Sequence, residues 1–146
     1  MKIESHEFEH ESVMPPKFTC DGEDSAPPLK ITGVPKDAKS LALIVDDPDA
    51  PAGTWVHWTA WNIPAESTLE LEGDLPAGSV EGVTSFGNTG YGGPCPPSGT
   101  HRYFFKVYAL DAELDLPSET MLDGIMAAME GHILDKAQLV GLYERR

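Results

Sequence analysis

Three short segments of the chain, DDPDAP, WVHW and GTHRY, carry side chains that could bind or transform a small molecule. They occupy residues 46–51, 55–58 and 99–103. Because alternate residues of a strand share one face, Trp55 and His57 should point the same way, as should His101 and Tyr103. The two prolines of the first segment would hold its carboxylates rigidly at the end of the preceding strand. Two imidazoles, a phenol and an Asp could therefore line one pocket.

A long irregular stretch, residues 84–100, leads into the third segment. It contains five glycines and three prolines. Glycines let the backbone approach a ligand closely, and prolines stiffen the loop before any ligand arrives. A structureless loop of this length in a compact domain is usually functional, although a plain connecting loop is the alternative.

Each of these residues also has an ordinary structural explanation. An Asp before Pro commonly forms a turn, and His57 alone would be a half-buried histidine with its hydrogen bonds satisfied. Tryptophans more often fill a core, and Arg102 would form an ion pair with one of the many acidic side chains. The prediction of a site therefore depends on the joint occurrence of these groups at strand ends beside the loop.

The elements that must position these groups are mostly strands, since 13 prolines and 14 glycines leave room for short elements only. The predicted strands are residues 40–45, 55–63, 101–108 and 132–143, with weaker candidates at 29–32, 68–72 and 80–84. Alternation places Trp55, His57, Thr59 and Trp61 on one face. The run at 40–45 is apolar on both faces, which predicts an interior strand.

One amphipathic helix is predicted at residues 119–130. The apolar residues Leu122, Ile125, Met126 and Met129 recur at helical spacing. Ser118 is a candidate N-cap, and Gly131 is a candidate stop. We interpret the methionines as core filling.

Composition limits the classes of function. The 146 residues suit one domain spanning 1–146, and a net charge of −14 disfavours nucleic acid and anionic membranes as partners. No apolar stretch approaches the length of a membrane span, and the acidic N-terminus does not resemble a signal peptide, so we expect no membrane insertion and a cytoplasmic location. Cys20 and Cys95 show no metal or redox spacing and are expected to be free thiols.

The DPDAP, WVH and GTHRY runs resemble, in order, the two signature regions of the phosphatidylethanolamine-binding protein family, which includes the Raf kinase inhibitor-like proteins. The resemblance covers nearly the whole chain, from FTCDG at 18–22 to LVGLYER at 139–145. It implies a small prokaryotic type of member with a mainly β fold. That fold is a β-sandwich built on a large antiparallel sheet, with a few short peripheral helices.

The resemblance also implies a ligand-binding pocket at a strand-end rim. Its residues would be Asp47, Asp49, Pro51, Trp55, His57, Gly93, His101 and Tyr103. The imidazoles and glycine-loop amides would hold a phosphate-like group, and the Ala50–Pro51 peptide bond would be cis, as it often is in the family. Asp47 could accept a proton from the ligand, orient an imidazole or receive an ammonium group.

The expected function is therefore binding of a small phosphorylated or other oxyanionic ligand by a non-catalytic binding or regulatory module, without cofactor or metal. The alternative is a small hydrolase that uses the Asp, His and Tyr side chains, with or without a metal. The family name suggests an inhibitor of a kinase or protease, with Tyr91 and Trp58 as exposed rim aromatics for a protein target not yet identified. Prokaryotic members tend to pair, which suggests a homodimer.

Overall fold

Nine strands, one α-helix and one 3-10 turn form the regular structure in the computed structural model, which describes residues 1–145. The strands are β1 (Lys2–Glu4), β2 (Ser12–Val13), β3 (Leu29–Thr32), β4 (Ser40–Asp47), β5 (Trp55–Ile63), β6 (Thr68–Leu71), β7 (Val80–Glu81), β8 (His101–Leu110) and β9 (Ile133–Tyr143). The helix α1 is Leu122–Met129, and the 3-10 turn is Pro16–Phe18. No helix in this part of the chain is both long and apolar enough to cross a membrane.

The strands form two sheets. The larger has the order β2-β9-β8-β4-β5-β7 and is antiparallel except where β2 pairs with β9. The smaller is the antiparallel sheet β1-β3-β6. The fold is therefore mainly β, as predicted, and every strong strand prediction is confirmed with small shifts at the ends.

Strand β4 lies at the centre of the molecule, and all eight of its residues are buried. Leu41 and Leu43 pack into the main core, to which the small sheet contributes Ile31. Ile44 faces the other way, into a second cluster that includes Ile125 of α1. Full burial of one such side chain stabilises the fold by about 1.5–3 kcal/mol. The double burial confirms the predicted interior strand and holds the carboxylates that follow it in a fixed position.

A register shift between β4 and β5 changes which side chains of β5 share a face. Val45 pairs with Trp58, whereas the next residue, Asp46, pairs with Val56, so β5 carries one extra residue here. His57 contacts a ring of the main core, but Trp61 packs in the cluster that α1 covers. The prediction that all four alternate residues share one face is therefore wrong.

Helix α1 is shorter than predicted. It begins at Leu122 with Met121 as its N-cap, because residues before it form a turn in which the Thr120 hydroxyl donates to the Pro117 carbonyl. Ser118 is therefore not the cap. After the helix, Gly131 adopts a φ of 82°, which fits the predicted stop.

The two helix methionines differ in their surroundings. Met129 is fully buried in the second cluster, as expected for core filling. Met126 is 45% exposed, so the same prediction is wrong for this residue. A helix of eight residues presents only a narrow stripe to the sheet, and Met126 lies outside it.

The prediction of two free thiols is wrong, because Cys20 and Cys95 form a disulfide across a sequence separation of 75 residues. The long loop folds back on the segment after the 3-10 turn, where the Cys20 N–H donates to the Pro94 carbonyl at 3.1 Å. The spacing of the cysteines in the sequence does not indicate that the loop and this segment lie close together. In the bonded state neither cysteine offers a thiol.

Candidate functional site

The ends of β4, β5 and β8 meet the long loop around a cavity of about 250 Å³. Six of the eight site residues suggested by the sequence line it. They are Asp47, Pro51, Trp55, His57, His101 and Tyr103. Asp47 is the last residue of β4, and Trp55 and His101 are the first residues of β5 and β8. Antiparallel pairing of these strands therefore brings the three side chains to one rim.

The other two suggested residues, Asp49 and Gly93, are not among the lining residues. Asp49 accepts hydrogen bonds from the Arg102 backbone N–H, Nε and a terminal nitrogen at 2.8–3.0 Å. These bonds lower the pKa of Asp49 to about 2. Asp49 therefore stays ionised and forms the ion pair expected for Arg102. The Gly93 N–H donates to Asp24 at 2.8 Å and is not available to a ligand.

A buried carboxylate orients one of the two cavity imidazoles. The Oδ2 atom of Asp47 lies 2.7 Å from Nδ1 of His101, and both residues are less than 7% exposed. The other oxygen, Oδ1, accepts the Asp49 N–H at 2.8 Å. With Nδ1 occupied, the Nε2 atom of His101 is left for a ligand. Of the roles considered for Asp47, this geometry matches orientation of the imidazole.

The second imidazole, His57, is held by the loop. Its Nδ1 lies 2.6 Å from the Gly92 carbonyl oxygen, and the Gly92 N–H donates to the His57 carbonyl at 2.9 Å. Because a carbonyl only accepts, Nδ1 carries the hydrogen. Burial lowers the pKa of His57, and the carboxylates of Asp47, Asp46 and Asp24 oppose this with smaller effects. His57 is therefore neutral at neutral pH, with its Nε2 free.

Tyr103 contacts both imidazoles. Its ring centroid lies 5.2 Å from that of His57 in an edge-to-face contact and 6.4 Å from that of His101 in a stacked one. Burial, followed by the charges of Asp47 and Asp49, raises the pKa of Tyr103. The phenol therefore remains a hydrogen-bond donor over the physiological pH range.

Three polar atoms of the cavity hydrogen-bond to no other described residue. They are Nε2 of His57, Nε2 of His101 and the Tyr103 hydroxyl. In the described chain, the fully enclosed polar side-chain atoms without partners lie elsewhere, on Thr59, Trp61 and Ser79. The three cavity atoms thus reach accessible space, where a ligand could meet them together.

Sequence reasoning missed five lining residues. They are Ala50, Phe86, Cys95, Pro96 and Pro97. The Phe86 ring packs edge-on against both Trp55 and His57, with centroids 5.4 Å apart in each pair. Phe86 is 45% exposed, and an aromatic ring in a Gly-rich loop was the one available signal. Apolar rings thus adjoin the polar atoms.

Two further expectations about the rim are wrong. No peptide bond among residues 1–145 is cis, so Ala50–Pro51 is trans.

Trp58 and Tyr91 are not exposed rim aromatics. Trp58 is 2% exposed and donates to Glu81, and the Tyr91 hydroxyl donates to the Phe18 carbonyl. The two rings pack against each other because the loop folds down onto β5.

Replacing Gly93 with alanine should destabilise the loop that holds His57. A Cβ at this position would collide with the Asp24 carboxylate and the Phe18 carbonyl, and would lie 3.0 Å from the Thr19 Cα. Overpacking against backbone costs about 1–3 kcal/mol. We expect the free energy of unfolding, measured with urea, to fall by that amount.

The matched control is Gly124→Ala in α1, where the new Cβ would lie 2.8 Å from the methyl group of Thr120, a side chain that can shift, rather than against backbone. Alanine also favours the helix, so this change should be nearly neutral. Equal unfolding midpoints for the two variants would contradict the tight packing of Gly93.

The described residues contain no group of three or more His, Cys, Asp or Glu side chains placed to hold a metal ion. Among the residues that line the cavity there is also no serine, threonine or unpaired cysteine. The one hydroxyl among the described lining residues is the Tyr103 phenol, whose pKa burial raises.

Comparison with known proteins agrees with this fold. The family model described as "Phosphatidylethanolamine-binding protein" matches residues 4–144. A UPF0098 protein of Methanothermobacter thermautotrophicus is 53% identical over 150 residues, covering 99% of each chain.

Two crystal structures have the same architecture. One is a phosphatidylethanolamine-binding protein homolog from Chlamydia trachomatis, with a TM-score of 0.94 and 37% identity over 99% of this chain and 97% of that one. The other is YbcL of Escherichia coli, described as a member of the mammalian PEBP family, with a TM-score of 0.91 and 33% identity over 99% and 98%. The chain therefore belongs to the phosphatidylethanolamine-binding protein family, as a member of prokaryotic type.

Proposed function

We propose that the protein binds a small oxyanion, such as a phosphoryl group, in the cavity between His57 and His101 and acts as a non-catalytic binding or regulatory module. The observation that carries this proposal is the convergence of three open polar atoms, the two imidazole Nε2 atoms and the Tyr103 hydroxyl, in one cavity. These atoms bond to no other described residue, so water or a ligand must supply their partners.

Protons at the cavity atoms can account for anion binding beside a carboxylate. Asp47 holds Nδ1 of His101 and places a countercharge beside the ring, so that the Nε2 atom can form a hydrogen bond with an anion. Neutral His57 can accept a hydrogen from a protonated phosphate, or take up a proton and donate. Tyr103 donates in either case. An oxyanion can thus receive up to three hydrogen bonds.

The cavity limits the size of the ligand. Its volume of about 250 Å³ lies just below the usual range of roughly 300–1,000 Å³ for ligand pockets. Phe86 and Trp55 offer apolar contact beside the polar atoms. These features favour a phosphate monoester with a short organic part. The family description, which names a phospholipid, supports a ligand with a phosphoryl group.

A non-catalytic role is favoured because the described lining residues include no serine, threonine or unpaired cysteine. A hydrolase remains the competing function. Incubation with p-nitrophenyl phosphate and p-nitrophenyl acetate, with and without added Zn²⁺ or Mn²⁺, separates the two. Turnover that is lost in Asp47→Asn would contradict the binding module.

The direct test is calorimetric titration with phosphate, phosphoethanolamine and ethanolamine. We expect the first two to bind at one site and ethanolamine not to bind. Tyr103→Phe removes only the hydroxyl, and a hydrogen bond to a charged group contributes about 1.5–3 kcal/mol, so affinity should fall roughly tenfold or more. Tyr108→Phe on the same strand is the control, since Tyr108 does not line the cavity. Equal losses in both variants would refute the assignment.

We also propose that the protein is cytoplasmic. The family resemblance further suggests a homodimer and a protein target that meets the cavity rim. Equilibrium sedimentation tests the dimer. Affinity capture with wild-type protein, in the presence and absence of saturating phosphate, tests for a target that competes with the anion. A monomer at micromolar concentration would overturn the dimer.

A further inference from the structure

The disulfide lies at the cavity itself. Cys95 and the two prolines that follow it, Pro96 and Pro97, are three consecutive lining residues. The partner, Cys20, follows the 3-10 turn in a different part of the chain. One wall of the cavity is thus tied covalently to a remote segment.

The loop is held differently before and after Pro94. Before it, the Tyr91 hydroxyl donates to the Phe18 carbonyl at 2.7 Å, and the Gly93 N–H donates to Asp24 at 2.8 Å. The Pro94 carbonyl itself accepts the Cys20 N–H. These contacts hold the loop, including the Gly92 carbonyl that orients His57, whether or not the sulfurs are bonded.

After Pro94 the disulfide is the main anchor. Among the described residues, no backbone hydrogen bond outside the strands involves positions 95–100, and of these six only Pro96 is buried. The chain becomes regular again at His101, where β8 begins. Without the sulfur bond, this segment would be restrained only at its two ends.

We propose that the Cys20–Cys95 disulfide is a redox switch for the cavity, and that its reduction weakens oxyanion binding. The inference rests on the proposed function. Reduction would free residues 95–97 to leave the cavity wall, and binding would then have to order them again. Since the two imidazoles and Tyr103 stay in place, we expect affinity to fall about tenfold rather than vanish.

The reaction needs an external dithiol. Both cysteines are exposed, so a thiolate can attack either sulfur, break the S–S bond and form a mixed disulfide. The second thiol of the reductant then displaces the remaining cysteine. Two electrons and two protons pass to the protein, which ends with two thiols, and the dithiol ends as its own disulfide.

The test measures phosphate affinity by calorimetry for oxidised protein, for protein kept in dithiothreitol and for reoxidised protein. We expect about tenfold weaker binding after reduction and full recovery on reoxidation. The double variant Cys20→Ser/Cys95→Ser should match the reduced protein and should not respond to dithiothreitol. Backbone NMR relaxation, measured in parallel, should show greater mobility of the amides between Cys95 and Thr100, and hydrogen exchange should stay unchanged in β4, β5 and β8.

The possible failures are distinguishable. Equal phosphate affinity in the oxidised and reduced states would overturn the switch and leave the proposed function intact. Faster exchange throughout the strands would also overturn it, because the disulfide would then support the whole fold rather than the cavity wall. Absence of phosphate binding by the oxidised protein would overturn the proposed function itself.

Discussion

Replacing His57 with alanine should abolish detectable binding of millimolar phosphate while leaving the fold intact. The Nε2 atom of His57 is one of the three open cavity atoms, and its ring is held by the Gly92 carbonyl and by Tyr103. A hydrogen bond to a charged group contributes about 1.5–3 kcal/mol, which corresponds to roughly 10- to 100-fold in affinity. Calorimetric titration measures the loss, and circular dichroism checks the fold.

His132→Ala is the matched control for this variant. His132 is half exposed and bonded to Asp111 just before β9, at the end of the β8–β9 pair far from His101. The same change there should leave phosphate affinity unaltered. Retained affinity in His57→Ala, or equal losses in both variants, would show that the anion binds elsewhere.

Binding should tighten strongly as the pH falls, by about tenfold per pH unit between pH 8 and the lowered pKa of His57. Burial holds that pKa below 6.5, so the empty protein has a neutral imidazole at neutral pH. Binding of a dianion with uptake of one proton then becomes more favourable at higher proton concentration. Below the lowered pKa the free protein is already protonated, and the dependence levels off.

Sulfate separates protein protonation from ligand protonation, because it remains a dianion throughout this range, whereas a phosphate monoester has a second pKa near 6. Sulfate affinity should therefore also rise from pH 8 to 5.5, and His57→Ala should show no detectable sulfate binding at either pH. Calorimetry in two buffers of different ionisation enthalpy counts the protons taken up. A flat profile with zero proton uptake would contradict the role given to His57.

The same lowered pKa has a consequence for stability. The unfolded chain binds the His57 proton more readily than the folded one, so the contribution of this group to stability is present above pH 6.5 and decreases as the pH falls through the folded pKa. Anion binding opposes this loss, because the bound anion favours the protonated ring.

Local sequence patterns predict the strands because apolar residues occupy the positions that are buried. The run that forms β4 is apolar at successive positions, since one face meets the small sheet and the other meets α1. The cavity residues at the ends of β4, β5 and β8 follow from the same placement. His101 and Tyr103 share a face, as alternation requires, because their part of β8 is regular.

Features that depend on contacts between distant segments could not be predicted in this way. The Cys20–Cys95 disulfide and the contact between Gly93 and Asp24 join the loop to a segment about 70 residues earlier. Neither the spacing nor the composition of the sequence indicates that these two segments lie close together. Likewise, the extra residue in β5 that separates His57 from Trp61 arises from pairing with β4, which a periodic pattern does not encode.

A crystal structure of the oxidised protein grown with selenate, a sulfate analogue with an anomalous signal, tests the central claim most directly. We expect one selenium peak inside the cavity, with selenate oxygens within hydrogen-bond distance of the Nε2 atoms of His57 and His101 and of the Tyr103 hydroxyl. A cavity that holds only water, while selenate binds at surface lysines or arginines, would contradict the account.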